Sequence, residues 1–396
     1  MKRIVVVGAS AAGLTAAETL REEGFDGELV LVNGERHDGY DRPPLSKAVL
    51  AGRMDAASLA LRPADFYDTH RIDHRVDVRA QGLDVGRRTV SLDNGERIAF
   101  DGLIIATGLR SRPLPRQSVL RGLHMLRTLD DALALRQDLG PARQVVIVGA
   151  GILGCEIAAT ISAMDKRVTL VEPLARPMAR QLGHTLAAAA MAKHRSHGTD
   201  VRAGHSVAEI ERRSGRVAAI VLDDGVRLAA DVVVVAIGSL PNTQWLQDSG
   251  LLLDDGVACD AFCRAGDGIF AAGDVASWMH PRLGMRVRIE HRQQATEQAV
   301  VAARNLLGAS EAYDPLPYFW TDFHDAKIQV FGRIGAGDTM HVVSGRIGEP
   351  GFTAAYSHGG TVTAVAGWNA ARRLRPMGSW VGLAQSVVRT DPAMAI

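Results

Sequence analysis

Two short glycine-rich turns carry the first chemistry legible in this chain. Lys2–Gly13 reads KRIVVVGASAAG and Arg143–Gly154 reads RQVVIVGAGILG. Each is a β-branched run, a turn with glycines and then an Ala-rich helical pattern. Each is followed by a second apolar run that closes on an acid, Glu35 in the first copy and Glu172 in the second. Glycines at such a turn let the backbone approach a pyrophosphate. The pyrophosphate sits at the helix N-terminus, where unpaired N–H groups and the helix dipole favour negative charge, and the acid can accept hydrogen bonds from a ribose diol. The second turn is complete, with Gly149, Gly151 and Gly154; the first has Gly8 and Gly13 with Ser10 in the middle position. Glu35 lies 27 residues after Gly8, and Glu172 lies 23 after Gly149. Glu172 would repel a 2′-phosphate, which favours NAD over NADP, while Arg176 and Arg180 just behind it could soften that preference. Two dinucleotide sites in one chain imply a flavin and a nicotinamide that meet face to face.

The elements that must position these residues repeat as well. A third apolar strand ends alike in both copies, Asp101–Gly108 (DGLIIATG) and Asp231–Gly238 (DVVVVAIG). Apolar runs alternating with helices imply parallel sheets built from βαβ units, hence an α/β fold with two Rossmann-like domains. The element Gly268–Ala276 (GIFAAGDVA) has no counterpart in the second copy and could return the chain to the first unit. The expected division is residues 1–110 and 239–312 as two parts of a flavin-binding domain, 111–238 as a nicotinamide-binding domain, and 313–396 as a small α+β domain. Lys327–Phe331 and Thr361–Val365 alternate as strands in the last of these. The stretch Val145–Met164 is long enough to cross a membrane. It contains Glu156 and three glycines, however, so a strand, a turn and a helix explain it better.

Composition excludes several classes. The chain has 396 residues, 47% hydrophobic and 22% charged, which is globular. Lys+Arg 45 against Asp+Glu 44 gives no net field for nucleic acid or a membrane surface. Three cysteines, Cys155, Cys259 and Cys263, make no disulfide framework and suit a reducing cytoplasm. The apolar run from Ile4 breaks at Gly8, too early for a signal peptide. No redox CxxC is present and no cysteine precedes Cys155, which argues against disulfide reductases, peroxide reductases and water-forming oxidases. Cys259 and Cys263 read as small apolar residues. No His or Cys spacing fits a metal site, and His194 and His197 read as a solvated helix end.

On these motifs the chain resembles the FAD-dependent, NADH-dependent ferredoxin reductases of bacterial oxygenase and cytochrome P450 systems, of the rubredoxin and putidaredoxin reductase type. The specific segments are Arg42–Lys47 (RPPLSK) and Tyr318–Asp322 (YFWTD). Ala106–Gly108, Arg127–Asp131, Gly238–Asn242, Ala272–Asp274 and Arg288–His291 support them. The resemblance implies that Gly8, Ser10, Ala12, Gly13 and Glu35 hold the adenosine and pyrophosphate part of FAD. It further implies flavin contacts from Arg42, Lys47, Ala80, Thr107, Gly108, Arg127, Asp274, Glu290, His291 and Trp320. Arg292 stands where many relatives carry Trp, which removes an aromatic stack but leaves a main-chain contact. NAD falls to Gly149, Gly151, Gly154, Glu156, Glu172 and Gly238. Lys47, Glu156 and Trp320 are the candidate catalytic residues, with Lys47 and Glu156 as an ion pair. The implied partner is a [2Fe–2S] ferredoxin or rubredoxin-like carrier that holds the iron itself. Arg71 and Arg75, or Arg282, Arg286 and Arg288, could supply a basic docking patch for it. The residues leave open an NADH oxidase, a nitrite-reductase-type flavin component, or a non-enzymatic NADH-binding redox sensor.

Overall fold

The computed structural model describes residues 1–115 and 120–386 and divides them between two compact units. The first unit holds Met1–Arg42, Ala56–Arg110 and Ser239–Pro315. Its six-stranded sheet runs in the order Arg264–Gly266, Ile269–Ala271, Gly102–Ile105, Arg3–Val7, Glu28–Asn33, Ile72–Val76. All neighbours are parallel except the edge pair 264–266 and 269–271. The central strand pairs Val5 with Val30 on one side and Leu103 on the other. Its Ile4, Val5 and Val6 are fully buried, each worth about 1.5–3 kcal/mol. The element after Gly268 does rejoin the first sheet, as Ile269–Ala271 beside Gly102–Ile105.

The second unit holds Pro43–Asp55, Ser111–Gly238 and Leu316 onward, so the RPPLSK segment crosses from one unit to the other after Arg42. Its parallel sheet has the order Asp200–Ala203, Arg167–Glu172, Gln144–Val148, Val232–Val235, Leu123–His124. An antiparallel sheet of five strands closes the chain, in the order Tyr318–Phe323, Ala326–Gly332, Thr361–Trp368, Phe352–His358, Thr339–Ser344. It contains both alternating runs expected as strands. The apolar stretch Val145–Met164 is a strand, a turn and the helix Ile152–Ser162. Among the described residues no helix is long and apolar enough to cross a membrane.

The repeat extends to single hydrogen bonds. The Gly8 N–H donates to the Val32 carbonyl and the Gly149 N–H to the Val171 carbonyl, both at 2.8 Å. Asp101 opens the third strand of the first unit and accepts the N–H groups of Lys2 and Arg3 at 2.5 and 2.8 Å. Asp231 does the same for Arg143 and Gln144 at 2.8 and 2.9 Å. One carboxylate thus pins the start of the first strand in each unit. The N–H donors hold the Asp101 carboxyl below the usual carboxylate range.

One expectation fails here. His194 is not solvated: it is fully buried and stacks on Phe323, with ring centroids 4.7 Å apart. Its Nδ1 lies 3.1 Å from His324 Nε2, and His197 stacks on His324 at 4.0 Å. The histidines at the end of helix Ala179–Ser196 face the hairpin turn at His324, and a helical sequence pattern carries no sign of that neighbour.

Candidate active site

In the first unit Gly8 sits at φ 112°, and a Cβ there would meet the Ala106 carbonyl oxygen at 2.2 Å. A Cβ on Gly13 would meet the Gly8 oxygen at 1.6 Å. Only glycine permits this crossing of helix over turn. The helix Ala11–Glu22 begins at Ser10 with no side-chain cap and no acid in its first turn. The helix Leu129–Leu139 contrasts with it. There Thr128 and Asp131 form a complete capping box, and Asp131 also accepts the Arg127 N–H at 3.0 Å. The glycine-turn helix keeps its N-terminal donors for another acceptor. A pyrophosphate fits that cradle.

Most of the residues expected around it lie in the same unit, whereas Lys47, Arg127 and Trp320 belong to the second. Arg42 Nη2 and the Tyr40 hydroxyl each donate to half-buried Glu35, at 2.5 Å. Burial opposes the Arg42 charge, but Tyr40, Glu35 and Asp274 outweigh it and raise the guanidinium pKa. Thr107 and Asn242 bond reciprocally, Oγ1 to carbonyl and Nδ2 to carbonyl at 2.9 Å, and the Asn242 N–H reaches the Gly108 oxygen at 3.0 Å. Those bonds stitch the ATG and GSLPN segments together. Asp274 lies in the turn Gly273–Val275. Ala12 packs so near that turn that a Cβ on Gly273 would meet its Cβ at 2.9 Å. Glu290 accepts Ser239 Oγ at 2.9 Å and Arg288 at 2.7 Å. His291 occupies the N-cap position of the helix Arg292–Leu306, and burial lowers its pKa. Arg292 Nε donates to Asp41 at 2.6 Å. Ala80 starts a strand paired with Leu92.

The second unit repeats the cradle. Gly149 sits at φ 106°, 2.3 Å being the distance from its would-be Cβ to the Ala236 oxygen, and a Cβ on Gly154 would meet the Gly149 oxygen at 1.9 Å. Gly151 is the uncapped N-cap of the helix Ile152–Ser162, and a Cβ there would enter open space. Glu172 accepts the Ala150 N–H at 2.8 Å and the Leu174 N–H at 3.1 Å, so its carboxylate is held against the turn. Gly238, at φ 100°, lies just past the third strand, Val232–Val235.

A polar cluster in the same unit surrounds Lys47. Its Nζ lies 3.0 Å from Glu156 Oε2 and 3.0 Å from Asp322 Oδ1. Glu156 is nine-tenths buried and also accepts Ser46 Oγ and Thr321 Oγ1, both at 2.9 Å. The Lys47 ammonium sits 4.9 Å from the Trp320 ring centroid, and Lys327 sits 5.5 Å from it. The expected ion pair is therefore present, with a second carboxylate that the sequence reading did not single out. Ser46, Thr321 and Asp322 all fall inside the two segments that carried the resemblance.

The three cysteines are free and buried. Burial pushes the Cys155 thiol up and holds Cys259 up to about 12. Such thiols stay protonated and are poor nucleophiles.

A family model described as pyridine nucleotide-disulphide oxidoreductase matches residues 2–299, and one described as reductase C-terminal matches 318–394. The chain belongs to the pyridine nucleotide-disulphide oxidoreductase family. It is 38% identical over 387 residues to the anthranilate 1,2-dioxygenase system ferredoxin–NAD(+) reductase component of Burkholderia cepacia, covering 95% of this chain and 94% of that one. The ferredoxin reductase for the CYP199A2 system of Rhodopseudomonas palustris superposes with a TM-score of 0.94 at 32% identity, covering 100% of this chain and 98% of that one. The covalent putidaredoxin reductase–putidaredoxin complex gives a TM-score of 0.92 at 31% identity, covering 99% of this chain and 96% of that one. This member of a family named for disulphide chemistry has no pair of cysteines placed to perform it: all three are buried, and their thiol pKa values are raised.

Proposed function

We propose that this protein is an NADH-dependent ferredoxin reductase. It draws electrons from NADH through FAD and delivers them to a small iron–sulfur carrier, a [2Fe–2S] ferredoxin or rubredoxin-like protein, that supplies an oxygenase or cytochrome P450. The carrying observation is the pairing of two dinucleotide cradles with three inert cysteines. Two cradles call for two dinucleotides, and the lack of a dithiol means that electrons leave to an acceptor outside the chain. The free, buried cysteines also support a cytoplasmic setting.

FAD, when bound, supplies the step the side chains cannot, accepting a hydride and passing electrons on singly. The chain supplies binding and alignment. The first cradle, with Gly8, Ser10, Ala12, Gly13 and Glu35, takes the FAD pyrophosphate and adenosine. Arg42, Ala80, Thr107, Gly108, Asp274, Glu290, His291 and Arg292 complete the FAD contacts of the first unit; the resemblance alone adds Lys47, Arg127 and Trp320. The second cradle, with Gly149, Gly151, Gly154, Glu172 and Gly238, takes NADH. Glu156 lies in the helix that starts at this cradle, so it and Lys47 meet the nicotinamide end. The domain division follows: 1–110 and 239–312 serve FAD, 111–238 serve NADH, and 313–396 supply Trp320 and Asp322.

Anaerobic stopped-flow tests the reading. NADH should bleach the flavin absorption, and added [2Fe–2S] ferredoxin should be reduced over many turnovers. A colourless protein that cannot be reconstituted with FAD, or one that consumes NADH at full rate on O₂ and reduces no carrier, would overturn it.

A further inference from the structure

The segment after Glu172 is pinned more firmly than a surface connection requires. Helix Ala179–Ser196 is broken at Gly183, whose φ of 69° and ψ of 171° lie outside the helical region. Before the break, Met178 takes a left-handed φ of 59°, is buried, and places its Sδ 3.5 Å from Cys155 Sγ. At the break, the Leu182 carbonyl accepts the Tyr356 hydroxyl at 2.6 Å. Tyr356 belongs to the strand Phe352–His358 of the C-terminal sheet and is 2% exposed. Burial raises its pKa, so the hydroxyl remains a donor throughout the working range. A Cβ on residue 183 would lie 2.9 Å from Tyr356 Cε1. The pins at Glu172, Met178 and Leu182 leave Arg176 and Arg180 as the exposed cations of the segment, and Arg176 Nη1 lies 3.2 Å from His184 Nδ1 just past the break.

We propose that Tyr356 is a positioning residue for nicotinamide-cofactor recognition. Its hydroxyl, acting through the Leu182–Gly183 break, holds the Arg176–Arg180 segment in register with Glu172, so the C-terminal sheet helps set the affinity for the dinucleotide. The inference rests on reading the second glycine turn as the NADH site. The physical reason is preorganisation: a segment already ordered loses little freedom when a ligand arrives, whereas a loosened one must be ordered by the binding itself. Tyr356 touches no substrate in this account. It acts through one carbonyl and one ring contact.

Tyr356→Phe keeps the ring and removes the donor. One lost hydrogen bond, if expressed in cofactor binding, raises the KM for NADH about fivefold, or about 1 kcal/mol. The kcat with ferricyanide should stay at the parent value, and the NADH to NADPH ratio of kcat/KM should move with KM. The effect should vanish in a background carrying Arg176→Ala and Arg180→Ala, because those side chains are what the break positions. Gly183→Ala attacks the same contact from the other side and should raise KM likewise; it decides the matter if Tyr356→Phe fails to retain FAD. An NADH KM equal to the parent's in the folded variant, or a rise that persists undiminished without the arginines, overturns the inference. A parent protein whose flavin is never bleached by NADH refutes the site reading itself; a parent that bleaches, with variants that keep its KM, refutes only the role of Tyr356.

Discussion

At the scale of single residues, the proposed function leans most on Lys47. Lys47 stands between Glu156 and Asp322 at 3.0 Å from each, one ammonium facing two carboxylates. Lys47→Met should lower the rate of NADH-dependent flavin bleaching by about ten- to a hundredfold while changing the KM for NADH far less. The mutation would also leave Glu156 buried with only two hydroxyl donors. Breaking a buried pair costs about 3–5 kcal/mol, reduced here because Lys47 keeps partial contact with solvent. Stopped-flow traces and a melting curve separate the two effects, and an unchanged bleaching rate in a folded variant would remove Lys47 from the site. In the proposed function Glu172 carries the choice of cofactor. A 2′-phosphate about 4 Å away at an effective dielectric near 20 would meet roughly 4 kcal/mol of repulsion per charge pair. Solvent screening brings the expected NADH preference to about ten- to a thousandfold. Glu172→Ala should relax it. It should also raise the KM for NADH, since the Ala150 and Leu174 N–H groups lose their acceptor. Equal kcat/KM for NADH and NADPH in the parent would place the control with Arg176 or Arg180.

At the scale of elements, the two βαβ units were legible because their signals are local: β-branched runs, glycines at fixed offsets and an acid after the next strand. The return of Ile269–Ala271 to the first sheet was legible for the same reason, as an unpaired third copy of a strand ending. Contacts between elements distant in sequence were not. Nothing in Asp101 or Asp231 announces that each pins the first strand of its own unit, and nothing in RPPLSK shows that the chain changes units after Arg42. His194 was misread on the same ground, since its burial comes from a hairpin more than a hundred residues away; His197 is exposed, as expected. Burial of His194 and its neighbour His324 has a pH consequence. Burial and the neighbouring His324 and His197 lower the His194 pKa to about 3, and burial with His197 lowers that of His324 to about 4. In the unfolded chain both titrate near 6.5, so below that pH the unfolded state binds protons that the folded state refuses. Stability is fully present above about pH 6.5 and is lost as pH falls toward 4, at up to about 1.4 kcal/mol per unit for His194. Melting temperatures from pH 7 to 4 should fall, and His194→Leu should flatten the decline; an equal slope in that variant would show that carboxylates govern the acid limb.

At the scale of the whole molecule, the sequence suggested that clustered arginines would steer a carrier, and the structure shows Arg75, Arg282, Arg286 and Arg288 already engaged. Arg282 bonds Asp314 at 3.1 Å, Arg286 lies 3.6 Å from Asp254, and Arg288 pairs with Asp255 and Glu290 at 3.2 and 2.7 Å. Arg75, in the other candidate patch, pairs with Asp73 and Glu96 at 2.8 and 3.3 Å. Spacing along the chain reveals the cations but not the acids brought to them from Asp254, Asp255 and Asp314, so a basic run in sequence became a set of pairs in space. A cation beside its counter-ion acts at a distance as a dipole, and its field dies within the screening length of about 8–10 Å. With a formal net charge of +1 over the whole chain, the net field adds little long-range attraction. Association with a ferredoxin should therefore depend weakly on salt. The second-order rate of ferredoxin reduction should change by less than about threefold between roughly 50 and 500 mM salt, whereas strongly steered encounters lose about ten- to a thousandfold. Arg282→Glu should leave NADH-to-ferricyanide turnover intact and slow ferredoxin reduction by less than about threefold at low salt. A loss of more than about tenfold in either experiment would mean that Arg282 keeps its charge toward the carrier despite Asp314, and the docking face would then lie where the sequence first placed it.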